Sequence, residues 1–118
     1  MNNYSKISLN ENGRTELHDA LSLTGAEISV NSLPAGASVP FVHVHRQNEE
    51  IYAVLEGKGK AEIDGESIEI KAGDWVRIAP KAKRRFFAAD DEGIKYICIQ
   101  VKENSLGGYS MADAEIAQ

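Results

Sequence analysis

The segment KAEIDGESIEI, residues 60–70, leaves the chain few folding options. Two arms of alternating apolar and polar residues flank Asp64-Gly65, a pair suited to the positive φ angles of a two-residue hairpin turn. Strand side chains alternate between faces, so the segment reads as a hairpin with one apolar face. The rest of the chain repeats the theme. AEISVNSL (26–33), PFVHVH (40–45), EEIYAVLEG (49–57), GDWVRIAP (73–80), KRRFFA (83–88) and IKYICIQVK (94–102) are short, rich in β-formers and bounded by turn residues. Almost none has helical period, and only the tail, 110–118, could form a helix. Seven or eight short strands spaced by turns imply an all-β sandwich or small barrel.

At 118 residues the chain is long enough for one domain with a sizeable core and too short for two. Its hydrophobic content of 42% and charged content of 26% argue against disorder. A net charge of −5 disfavours nucleic acid and anionic membranes as partners. No apolar run approaches the ~18 residues of a membrane span, and MNNYSKISLNENG lacks the layout of a secretory signal. A single cysteine, Cys98, cannot form an internal disulfide. The expectation is therefore a soluble cytoplasmic domain.

Chemistry concentrates in PFVHVHRQNEEIYAVLEGKG, residues 40–59. Within a strand His43 and His45 project the same way, and Arg46-Gln47-Asn48 is a polar break that reverses the chain. The next strand, starting at Glu49 or Glu50, would then run antiparallel beside the histidines and bring a carboxylate to the imidazoles. Two imidazoles and a carboxylate suit Zn, Mn, Fe or Ni and leave coordination positions open. The same residues also suit a metal-free pocket in which the histidines satisfy hydrogen bonds. If Glu50 faces inward, Tyr52 and Val54 join it, while Ile51, Ala53 and Leu55 face out, as do Val42 and Val44 opposite the histidines. Both faces of this pair are then apolar, and a second copy of the chain is the simplest cover for the outer one, so a homodimer is expected.

These residues resemble the cupin superfamily. Gly36, six residues, His43-Val44-His45, four residues, Glu50, six residues and Gly57 match the first cupin motif in full, and the match selects Glu50 over Glu49. Gly73-Asp74 and Ile78-Ala79-Pro80 match the opening and strand end of the second motif. Continuing that alignment puts Arg84 where the motif has its third histidine, Phe86 after it and Ala88 at the asparagine position. The resemblance implies a single cupin domain over 1–118, a double-stranded β-helix or jelly-roll barrel. The barrel spans about 26–101, with an N-terminal strand or arm over 1–25 and a tail over 102–118. It also implies one divalent metal on His43, His45 and Glu50, a small-molecule ligand, and activities such as dioxygenase, isomerase or decarboxylase.

Arg84 departs from that pattern. A guanidinium keeps its proton and cannot ligate a metal. Beside Glu50 it would pair with the carboxylate or hold an anionic ligand, and it would repel a divalent cation. Two readings follow: a two-histidine, one-carboxylate metal site, or a metal-free ligand-binding or sensory cupin built around Arg84. Alternation through RRFFA lets only one of Arg84 and Arg85 face inward, and Arg84 shares its face with Phe86, which makes Arg84 and Phe86 ligand-binding candidates. Tyr52 could donate a hydrogen bond or proton to a ligand, which makes Tyr52 and Glu50 the catalytic candidates. Gln47 could sit at the pocket rim. Cys98 reads as a buried structural thiol, Trp75 as packing or dimer surface, and His18 as a surface loop histidine. There is no Ser-His-Asp order, CxxC pair, P-loop or dinucleotide fingerprint.

Overall fold

A computed structural model describes residues 3–9, 13–109 and 113–117. The pivotal element is β3 (Asn48–Ile63), a strand of 16 residues shared by two sheets. Its first half pairs antiparallel with β5 (Trp75–Ile78) and β7 (Ile94–Lys102), and β7 in turn pairs with β2 (Glu27–Leu33) and β2 with β1 (Arg14–Glu16). Its second half pairs with β4 (Glu66–Lys71) and β6 (Arg84–Ala88). The two sheets close over one core of Tyr52, Val54, Ala61, Ile70, Ile78, Phe86, Ala88, Ile94, Tyr96 and Cys98. This is an all-β architecture, as the strand pattern predicts, in the jelly-roll form that the cupin resemblance implies.

The sequence-based reading ended a strand at Gly57. Instead β3 runs through it, with a bulge between Val54 and Glu56 and a φ of +79° at Gly57. Here glycine bends the strand from one sheet into the other rather than stopping it. The hairpin at Asp64-Gly65 forms as expected: φ is 51° and 83° at the two residues, and Ile63 pairs directly with Glu66.

Two other expectations change. PFVHVH is not a regular strand. Pro40 donates no backbone hydrogen bond, and the segment 37–45 touches β6 only intermittently. It does so through Ala88 N–H to Ala37 O, Val39 N–H to Phe86 O, and a reciprocal pair between His43 and Arg84. The histidines therefore lie beside β6, not beside β3. The second change is a four-residue helix, α1 (His18–Leu21), in a region where no helix was expected. One turn is too short to show a period, and it ends at Ser22 with a φ of 57°. In the tail, 113–117 are not helical, and 110–112 and 118 lie outside the described residues. No described helix is long and apolar enough to cross a membrane.

Candidate functional site

Between the sheets lies a cavity of about 640 Å³. Its base is Glu50, placed inward by the alternation of β3 together with Tyr52 and Val54. Both carboxylate oxygens are engaged. Oε1 accepts from the Tyr52 hydroxyl at 2.7 Å and from Arg84 Nη1 at 2.7 Å. Oε2 accepts from the Cys98 thiol at 3.2 Å and lies 3.1 Å from His45 Nε2, to which we assign the ring proton. A carboxylate offers about four lone-pair sites, so Glu50 is saturated.

Arg84 is equally constrained. It is 1% exposed, and besides Glu50 it donates from Nε to Ala82 O at 3.0 Å and from Nη2 to Ala79 O at 2.7 Å. The carbonyls come from the turn after β5, the segment that Pro80 shapes. Burial works to raise Glu50, but the hydrogen bonds from Tyr52, Cys98 and Arg84, with His45 nearby, outweigh it and hold the carboxylate below its ordinary range. Burial, then the Cys98 and Glu50 charges, push Tyr52 far up. Burial and Glu50 push Cys98 up to about 12. Neither Tyr52 nor Cys98 gives up its proton near neutrality, so each serves as a fixed donor.

His43 also lines the cavity, on the exposed side, with its ring edge-on to Phe41 at 6.3 Å. The structure thus gathers His43, His45, Glu50, Tyr52, Arg84 and Phe86 around one space. Gln47 stands apart: it is exposed, its carbonyl accepts from Glu103 N–H, and it does not line the cavity. Phe86 lines the cavity and stacks on Tyr52 at 4.1 Å and on Tyr96 at 5.2 Å, in a three-ring cluster whose third side, Tyr52–Tyr96, is 5.8 Å. As arranged, these residues do not fit a divalent ion. The Glu50 lone pairs are occupied, a guanidinium nitrogen sits 2.7 Å from one of its oxygens, and the described residues hold no metal-ready group of three His, Cys, Asp or Glu side chains.

The sequence reading missed a second wall. Glu27, Ser29 and Asn31 of β2 and Tyr96 and Gln100 of β7 line the cavity, with Arg14 of β1 at its edge. The signal was the polar half of the alternation in AEISVNSL, a face more readily assigned to solvent than to the interior.

The family model described as "Cupin domain" matches residues 29–100. A crystal structure of a cupin protein from Bacteroides fragilis is 59% identical, covers 100% of both chains and superposes with a TM-score of 0.97. A Thermotoga maritima structure described as a predicted oxalate decarboxylase is 25% identical over 64% of each chain, with a TM-score of 0.60. An uncharacterized protein of Methanocaldococcus jannaschii is 34% identical over 86 residues, which are 73% of this chain and 64% of that protein. The chain thus spans less than two thirds of the length of that relative. A family match over most of the barrel and a full-length superposition lead to one conclusion: the chain belongs to the cupin family.

Proposed function

We propose that this cupin binds a small polar metabolite in the cavity above a closed, metal-free Glu50–Arg84 centre. The saturated carboxylate supports this reading: four donors meet Glu50, and one of them is a buried guanidinium. In this arrangement Arg84 supplies the positive charge that a carboxylate at a barrel base needs. The centre shapes the cavity and fixes Tyr52 and Cys98. It leaves His43 and the β2–β7 wall as the surfaces a ligand meets. Because Glu50 stays ionised and Tyr52 protonated around neutrality, binding is favoured over proton transfer as their role.

The alternative places a divalent metal on His43, His45 and Glu50. What favours it is that all three line one cavity; it requires Arg84 to release Glu50. Metal analysis of protein purified without added ions, then after dialysis against Zn, Mn, Fe or Ni, separates the two. The expected content is well below one ion per chain and unchanged in Glu50→Gln. Near-stoichiometric metal that disappears in His45→Ala and Glu50→Gln would overturn the metal-free reading. In the same preparation, a thermal-shift screen of small organic acids, sugars and amides is expected to find a stabilising compound.

We also infer a cytoplasmic homodimer. Cys98 is a free buried thiol, which suits a reducing compartment. The outer face of the larger sheet is apolar across four strands, with Trp75 69% exposed. Val42 and Val44, lying along β6, do not join that face.

A further inference from the structure

The inner wall of β1, β2 and β7 carries polar groups that the Glu50 centre does not use. Asn31 and Ser29 are buried, and their partners fix their orientation. Arg14 Nη1 donates to Asn31 Oδ1 at 2.8 Å, so the amide must present Nδ2 to Ser29, and it donates to Ser29 Oγ at 3.0 Å. Having accepted that bond, Ser29 has its own hydroxyl proton left, and that proton has no acceptor among the described residues. Tyr96 stands opposite Asn31 in the β2–β7 register, one row from the Ser29–Cys98 pair. Its ring is 4% exposed, and its hydroxyl has no hydrogen-bond partner among the described residues. Every fully enclosed side-chain nitrogen or oxygen there does have a partner, so the Tyr96 hydroxyl is open to the cavity. Two buried hydroxyl donors on adjacent rows of one wall are thus unused, and one stands at the end of a relay that starts at a guanidinium.

The geometry points to a carboxylate site on this wall: Ser29 and Tyr96 donate to the carboxylate of a small organic acid, with Arg14 behind them as counter-charge. This deepens the cavity reading above and rests on it. Charge supports an anion. Arg14, Arg84 and Arg85 line the cavity against Glu27 and Glu50, a surplus of one positive charge inside a protein of net −5. Glu50 is already neutralised by Arg84. Glu27 sits two residues further along β2, opposite Gln100, and accepts from His18 N–H at 3.0 Å, so it borders the site rather than filling it. Arg14 also lies 3.5 Å from the exposed Glu16, a contact that water screens. Burial raises Tyr96 to about 12, so it meets the ligand as a donor at any ordinary pH. Two hydroxyl donors, the Ser29 one held by a cation-fed relay, suit an acceptor-only group, and a carboxylate is the commonest such group on small metabolites.

The test pairs carboxylates with their uncharged amides: acetate, pyruvate and benzoate against acetamide, pyruvamide and benzamide, at matched ionic strength, by thermal shift and calorimetry. At least one carboxylate is expected to bind, at least tenfold tighter than its amide. Ser29→Ala and Tyr96→Phe, each lacking one oxygen, should each weaken it about tenfold, and Arg14→Gln should weaken the carboxylate more than the amide. Equal binding of acid and amide, or unchanged binding in both hydroxyl variants, overturns the site. If sugars or amides stabilise the protein and no carboxylate does, the carboxylate site fails and the cavity reading stands. If nothing in the wider screen binds, both fall.

Discussion

At the scale of single residues, the Glu50–Arg84 pair organises the polar base of the cavity. A buried ion pair gains stability only when its remaining hydrogen-bonding capacity is met, because desolvation costs several kcal/mol per ion. Here the carboxylate has four donors and the guanidinium three acceptors. Removing one partner strands the other. Arg84→Met is expected to cost about 3–5 kcal/mol in urea unfolding, with the Arg84→Met/Glu50→Gln double variant less destabilised than the sum of the single ones. Strict additivity would show that the pair is not coupled. The pH dependence has a definite sign. Glu50 is held below its ordinary value of 4.5, so its contribution is present above about that pH and is lost as the pH falls through the lower folded value. The melting temperature of the wild type should therefore drop more steeply between about pH 5 and pH 3 than that of Glu50→Gln. Parallel curves would contradict the lowered value.

At the scale of elements, glycine makes β3 serve two sheets. A Cβ on Gly57 would collide with the carbonyl oxygen of Gly93, whereas one on Gly65 meets nothing within 4 Å. Their φ values are nearly equal, +79° and +83°, so the intrinsic penalty of a left-handed residue is about the same at both, roughly 1–2 kcal/mol. The difference between them is the close approach of two backbones. Gly57→Ala should thus be more destabilising than Gly65→Ala by at least about 1 kcal/mol in denaturant unfolding. Equal losses would mean that β3 adjusts its bend without strain. This also shows where sequence reasoning stops. The hairpin at Asp64-Gly65 was legible because its turn chemistry is local. The role of Gly57 was not, because it depends on Gly93, 36 positions away. For the same reason the first motif identified Glu50, His43 and His45 as neighbours, while the link from Glu50 to Cys98 depends on the β3–β7 register, which no local signal reports. Arg84 was legible only as a departure from an expected histidine, and the carbonyls of Ala79 and Ala82 that hold it were not.

At the scale of the whole molecule, β2 is turned against the usual expectation, and β7 is apolar on both faces. Glu27, Ser29 and Asn31 of β2 and Gln100 of β7 face the cavity together with Leu33, Tyr96 and Cys98, while Ile28, Val30, Ile97 and Ile99 face away from it. The pairings Ile28–Ile99, Val30–Ile97, Ile51–Ile99 and Ala53–Ile97 run an unbroken apolar band across the outer face, continued by Trp75 opposite Ala53. With the polar side chains of β2 turned into the cavity, an apolar face is left outside it, and large apolar faces on soluble proteins mark interfaces. Symmetry makes a second copy the natural occupant, since a two-fold axis lets one patch cover itself. Charge confines the contact to the band: Arg77 is bound to Glu49 at 2.7 Å and Glu103 at 2.9 Å along its border. Light scattering at micromolar concentration should give twice the chain mass, and Ile97→Glu or Trp75→Glu should give the single-chain mass while the far-ultraviolet spectrum stays that of a β protein. A wild type with the mass of one chain would remove the dimer. It would not disturb the carboxylate site, whose Ser29 and Tyr96 lie on the opposite face of β2 and β7 and whose Arg14 stands on β1.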